Sequence, residues 1–336
     1  MTGSLEPPDA RHDWGLAVRL LEWVSRAQRP VPQRLQRVLL VLATMALTVA
    51  AVLAVRDLEI GWSQLDGTPL LLAIVVGVPA STVVNGLEFV LSGWATGRRI
   101  TFRIALRVTV LGSAANLLPL PGATMVRWRA LQRDGVAPVR AGVATVVVAL
   151  AWIAVSCLLA GTTLLVGGHV LAAAPLLVGG VVSEVASILG ARHAASEGRV
   201  ARFAAWAVAV EVASVATIVL RLALLLAAVR VPAGLAEPLV LAVAIALAAA
   251  LGVFPGGLGV REGLSAALAP LVGLPMSVGF LVAALNRAIG LVVLAPLAAG
   301  VELVERRSGG GVDKVRASSS APGTRTSEAE EPSAAS

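Results

Sequence analysis

Residues 252–263 read GVFPGGLGVREG, and both flanks are long apolar runs. Pro255 stops an incoming helix, while Gly256, Gly257 and Gly259 let the backbone turn without a Cβ clash. A returning half-helix from about Val260 then starts with free N–H groups and the positive end of its dipole. Arg261 and Glu262 follow at once, placing charge where hydrocarbon is expected. The stretch therefore predicts the turn of a re-entrant helical hairpin rather than a continuous span.

The surrounding composition fixes the class. The chain has 336 residues, of which 57% are hydrophobic and 14% charged, against about 25% charged in soluble domains. Its mean hydropathy is +0.86. Apolar runs of about 20 residues, the length of one helical crossing, recur, and no alternating β-barrel pattern is present. The net charge of +7 comes almost wholly from arginines in short loops, a pattern of cytoplasmic retention rather than of nucleic-acid binding. Cys157 is the single cysteine, and His12, His169 and His193 are scattered without metal-ligand spacing. No metal or cofactor is expected.

Six full spans are predicted, at roughly 38–55, 69–92, 141–166, 170–190, 204–229 and 277–303. Two further apolar stretches, 104–120 and 236–273, are broken by Pro and Gly. Residues 1–37 form a lead-in whose segment 13–28 reads as an amphipathic interfacial helix, or else as a short solvated one. Residues 304–336 read as a disordered tail. Arg26, Arg29, Arg34 and Arg37 place the N-terminus in the cytoplasm, and Arg306 and Arg307 place the C-terminus there too. Arginines on both sides of 104–120 make that segment dip in from the cytoplasm. By parity, 236–273 dips in from outside.

The result is an all-α polytopic membrane protein, six full transmembrane helices plus two re-entrant hairpins, arranged as an inverted repeat of 38–166 and 170–303. Inverted repeats with broken helices characterise secondary transporters. ANLLPLPGATMVRWRAL (115–131) aligns without gaps to AALGVFPGGLGVREGLS (249–265) at an offset of 134, with six of seventeen positions identical. The shared core is Pro-Gly-x4-Arg: Pro121, Gly122 and Arg127 in the first copy, Pro255, Gly256 and Arg261 in the second.

The motifs PGGLGVREG (255–263), GLP (273–275) and NLLPLPGATMVR (116–127) resemble the membrane domain of the lysylphosphatidylglycerol synthase/flippase family. The resemblance covers about residues 38–303. It implies a domain that moves a headgroup-bearing lipid across the bilayer, which in bifunctional members accompanies a soluble domain that aminoacylates phosphatidylglycerol. Beyond Val304 only a polar tail of about 30 residues follows, too short to bury a core. Synthase activity is therefore not expected of this sequence. The family pattern also has an arginine in the span after the first hairpin. Here that span reads VVALAWIAV (147–155), whereas the second-unit counterpart, Asn286–Arg287, is kept.

Ionisable groups inside a bilayer cost about 2.5–3.5 kcal/mol each on insertion scales, and are retained where they pair or line a wet cavity. The candidates are Glu88, Glu184, Glu211, Arg221, Arg261, Glu262 and Arg287, with Asn85, Asn116 and Asn286 as polar companions. Two readings of the second hairpin stand side by side. A phosphate docks at the half-helix N-terminus with Arg261 as partner, or Arg261 and Glu262 tie the hairpin to itself or to Arg287. Arg127 reads as a substrate ligand or as a side chain snorkelling to headgroups. Glu211 is expected to meet Arg287, and Arg221 to turn outward or to meet Glu184. Glu88 reads as structural.

These residues favour a lipid transporter, not an enzyme, with membrane lipids of anionic headgroup or polyprenyl-phosphate-linked lipids as its partners. A headgroup transferase lacks paired carboxylates at metal spacing, a nucleotide loop and a Ser/His/Asp set. A non-transporting envelope scaffold leaves the two opposed breaks unexplained. A homo-oligomer, or a partner from envelope biosynthesis, is compatible with all three. Richness in Ala, Val and Arg suggests a G+C-rich bacterial genome and the cytoplasmic membrane.

Overall fold

The computed structural model describes residues 65–115, 122–194, 200–251 and 259–319. Among them every regular element is helical, as hydrocarbon demands of a chain that must satisfy its own backbone hydrogen bonds. The elements are α1 (Gly67–Ala95), α2 (Phe102–Ala115), α3 (Gly122–Arg133), α4 (Pro138–Val166), α5 (Val170–Ala194), α6 (Val200–Ala228), α7 (Ala236–Leu251), α8 (Val260–Leu268) and α9 (Met276–Ser319). Five are long and apolar enough to cross a membrane: α1, α4, α5 to Arg192, α6, and α9 to Val301. They coincide with five of the six predicted spans. The sixth, 38–55, and the lead-in 1–37 lie outside the described residues, as do the expected apices of the two hairpins, 116–121 and 252–258. α9 runs past Val304 to Ser319, so the first part of the predicted tail is helical, with no proline to stop it before Pro322.

Helix starts recur along the chain. α1 to α4 begin at 67, 102, 122 and 138, and α6 to α9 begin at 200, 236, 260 and 276, which is 133 to 138 residues later. α1 and α6 also run antiparallel. Ser214 bonds Glu88 and Arg221 bonds Ser81, so seven residues forward on α6 are seven back on α1. At their far ends, the Asp66 N–H before α1 donates to Ala228 O at the close of α6 (2.9 Å).

Two apolar cores flank the middle of this helix pair. One gathers Phe89, Leu91 and Ala95 of α1 with Phe203, Ala207 and Val210 of α6, Leu131 of α3 and the first half of α4. The other gathers Ala73 and Val78 of α1 with Val215 to Leu226 of α6, Leu241 of α7, and Val278 and Leu281 of α9. Between them, α1 presents Ser81, Asn85 and Glu88, and α6 presents Glu211 and Ser214. A polar layer is thus enclosed by two apolar ones.

Close helix contacts depend on small residues, the usual device where lipid competes with side chains for the helix surface. α4 and α5 form an antiparallel pair. A Cβ on Gly180 would lie 2.8 Å from Leu158 Cγ, and one on Gly161 2.9 Å from Leu177 Cγ. α8 meets α9 even more tightly. A Cβ on Gly279 would drive into the Ser265 carbonyl oxygen and come within 2.7 Å of Ala269 Cβ. Gly279→Ala is expected to lower stability by about 1–3 kcal/mol, the ordinary cost of overpacking, in unfolding measured in detergent micelles. Gly290→Ala, where nothing would meet the new methyl, is expected to stay close to wild type.

Candidate functional site

The side chains in and beside the polar layer form two centres. The first joins α1, α3 and α6. Arg127 of α3 sends one amino group to Glu88 Oε2 and to the Asn85 carbonyl oxygen, both at 3.1 Å. Ser214 Oγ of α6 donates to Glu88 Oε1 at 2.9 Å. Each carboxylate oxygen of Glu88 therefore has a donor, on a residue only 7% exposed. Thr109 of α2 donates to the same Asn85 carbonyl at 3.3 Å, so one turn of α1 fastens both α2 and α3.

Glu211 sits one turn before Ser214 on α6. It is fully buried, neither of its carboxyl oxygens has a hydrogen-bond partner, and Glu88, Arg127 and Glu184 are its charged neighbours. Three carboxyl groups thus face one guanidinium.

The second centre has the opposite balance. Glu262 of α8, also fully buried, accepts the Gly259 N–H on Oε2 (2.9 Å) and approaches Arg287 Nε of α9 at 2.8 Å through Oε1. Gly259 has φ of 79°, a left-handed turn that favours glycine; the Glu262 carboxylate closing back on it begins α8 in the manner of a capping box. Arg261 has Arg221, Arg287 and Glu262 as charged neighbours, and its Nε and one terminal nitrogen are buried without a hydrogen bond. Asn286 is 1% exposed with both amide atoms unsatisfied. Arg221 donates to Ser81 Oγ at 3.0 Å. A Cβ on Gly77, the last residue of a π turn at Ala73–Gly77 in α1, would come within 3.0 Å of the Arg221 stem. Among the described residues three guanidinium groups here face one carboxylate.

The predicted residues are placed as follows. Arg261, Glu262, Asn286 and Arg287 come together, as the ionic reading of the second hairpin expects. Arg127 turns inward to Glu88 rather than outward to headgroups. The two pairings expected across α6 are exchanged: Glu211 joins Glu88 and Arg127 instead of Arg287, and Arg221 joins Ser81 and the Arg261 centre instead of Glu184. Ten residues separate Glu211 from Arg221, about 15 Å along the axis, so the two belong to different centres. Gly122 opens α3 and Gly259 precedes α8, whereas Asn116, Pro121, Pro255, Gly256 and Gly257 lie outside the described residues. Ser81 and Ser214 were not singled out from the sequence, and Glu88 was a candidate there but read as structural. Their signal was there: Ser81, Asn85 and Glu88 share one face of α1 at helical spacing. Among the described residues no group of His, Cys, Asp or Glu is arranged to hold a metal ion.

Comparison with protein-family models and with curated proteins gives no match to this chain.

Removing one partner of a buried ion pair costs about 3–5 kcal/mol. Glu262→Ala is expected to lose on that order, because it removes the carboxylate paired with Arg287 and the acceptor of the Gly259 N–H. Glu262→Gln, which keeps an oxygen for the N–H, is expected to lose less. Equal melting temperatures for both variants and wild type, measured in micelles, would remove the structural role of the pair.

Proposed function

We propose that this chain is a flippase-like lipid transporter, moving a lipid with an anionic or polyprenyl-phosphate-linked headgroup across the bilayer. The observation that carries the reading is the second centre. Among the described residues Arg221, Arg261 and Arg287 lie around the Glu262 carboxylate, with Arg261 donors and the Asn286 amide buried and unsatisfied. Idle donors on a buried guanidinium in an apolar protein are costly, and an anionic phosphate supplies both charge and acceptors. The N–H groups opening α8 add a further attraction for an anion.

The architecture supports transport over mere binding. Over the described residues α2 covers 14 residues, α3 12, α7 16 and α8 9, at 1.5 Å per residue each less than the ~30 Å hydrocarbon core. We read α2–α3 and α7–α8 as re-entrant hairpins entering from opposite sides. Equivalent helices α1 and α6 running antiparallel, and the recurrence of helix starts, support an inverted repeat, the plan on which alternating access is commonly built. The resemblance of the two hairpin motifs to the lysylphosphatidylglycerol synthase/flippase membrane domain points the same way.

In this account Arg261 and Arg287 hold the phosphate, the Asn286 amide orients it, and Glu262 neutralises the arginines between substrates. Arg127 with Glu88 forms the corresponding latch of the first hairpin.

The test is reconstitution in proteoliposomes with fluorescently labelled phosphatidylglycerol and, separately, a labelled polyprenyl phosphate. Translocation of at least one is expected. Losing one charge-assisted contact of about 1.5–3 kcal/mol predicts a fall of roughly ten- to hundredfold in Arg261→Ala. Absence of movement for every anionic lipid, or an unchanged rate in Arg261→Ala, would contradict the proposal.

A further inference from the structure

The first centre holds a carboxyl group that the anion site does not use. Glu211 is fully enclosed and both its oxygens lack a hydrogen-bond partner, although Arg127 is near enough to act on it. The charged groups that face it can be named for each helix packed on α6. α1 brings Glu88, whose oxygens are taken up by Arg127 and Ser214. α3 brings Arg127 and α5 brings half-buried Glu184. α4 has no charged residue from Ala141 to Val166. α7 has only Glu237, in its first turn, and the Arg287 of α9 is paired with Glu262. Among the described residues the one cation of this centre is therefore already committed to Glu88.

An ionised carboxylate with no hydrogen bond and no free cation is not held in an apolar interior; such a group neutralises instead. Within the trio of Glu211, Glu88 and Arg127, one proton balances two carboxyls and one guanidinium, as in other carboxyl pairs too close to ionise together; half-buried Glu184, with one oxygen buried and unpartnered, is a third carboxyl beside them and makes a charge on Glu211 costlier still.

We propose that Glu211, with Glu88 and Arg127, forms a proton-binding site in which the proton resides on Glu211 while Arg127 is closed on Glu88. The site itself does not depend on what the cargo is.

The experiment is infrared spectroscopy of the full chain in lipid, following the carbonyl stretch of a protonated carboxyl side chain. Wild type is expected to show the band at neutral pH and to lose it reversibly at high pH, with no response to sodium at fixed pH. Glu211→Gln is expected to lack the band, and Glu211→Asp to shift it. Glu88→Gln should also lose it although Glu211 is intact, because Arg127 then passes to Glu211 and ionises it. A merely structural Glu211 would not respond to a change at Glu88. Persistence of the band in Glu211→Gln, its absence from wild type at neutral pH, or its control by sodium would overturn the proposal. Should Glu211→Gln fail to fold, the wild-type pH and sodium titrations decide alone. A failed lipid-transport assay leaves this result standing, so the two readings fail separately.

Discussion

The contact on which the arrangement rests is the carboxylate of Glu88, held by Arg127 on one oxygen and Ser214 on the other. It lies where two apolar cores leave a gap in the middle of α1 and α6. A charge placed there would be untenable alone. It is tolerated because donors reach it from two other helices, and those donors in turn fix how α3 and α6 sit against α1. The pair specifies geometry more than it adds stability, since buried ion pairs roughly break even against apolar replacements.

The same helix pair serves both centres. α1 presents Glu88 and Asn85 to the first and Ser81 to the second; α6 presents Glu211 and Ser214 to the first and Arg221 to the second. The first centre has an excess of carboxyl groups and the second an excess of arginines, so α6 joins sites of opposite sign about 15 Å apart. Small residues at Gly161 and Gly180 let α4 and α5 approach closely, and Gly279 does the same for α8 and α9.

Much of the helical framework was legible in the sequence. Five predicted spans match α1, α4, α5, α6 and α9 because runs of Ala, Val and Leu at this length leave little choice but helix in hydrocarbon. The charge pair at Glu262 was legible because its residues cluster around a glycine break. The first centre was not. Glu88 meets Arg127 across 39 residues and Ser214 across 126, separations that no local pattern reveals, so it read as structural. Glu211 and Arg221 share a helix, which suggested partners without saying in which layer each would find them. Only the antiparallel crossing of α1 and α6 decides that, and no local pattern encodes it.

The central claim is that two halves of one design are inserted in opposite directions, so that their ionic centres face a common interior. Its most direct test is accessibility of single cysteines to a membrane-impermeant thiol reagent in oriented vesicles, with buried Cys157 replaced. One cysteine would stand at Asp134, in the connection from α3 to α4, and the other at Gly273, in the equivalent connection from α8 to α9. Labelling from opposite sides is the predicted result, Asp134→Cys from the cytoplasmic face and Gly273→Cys from the outer face. Labelling of both from the same side would contradict the account.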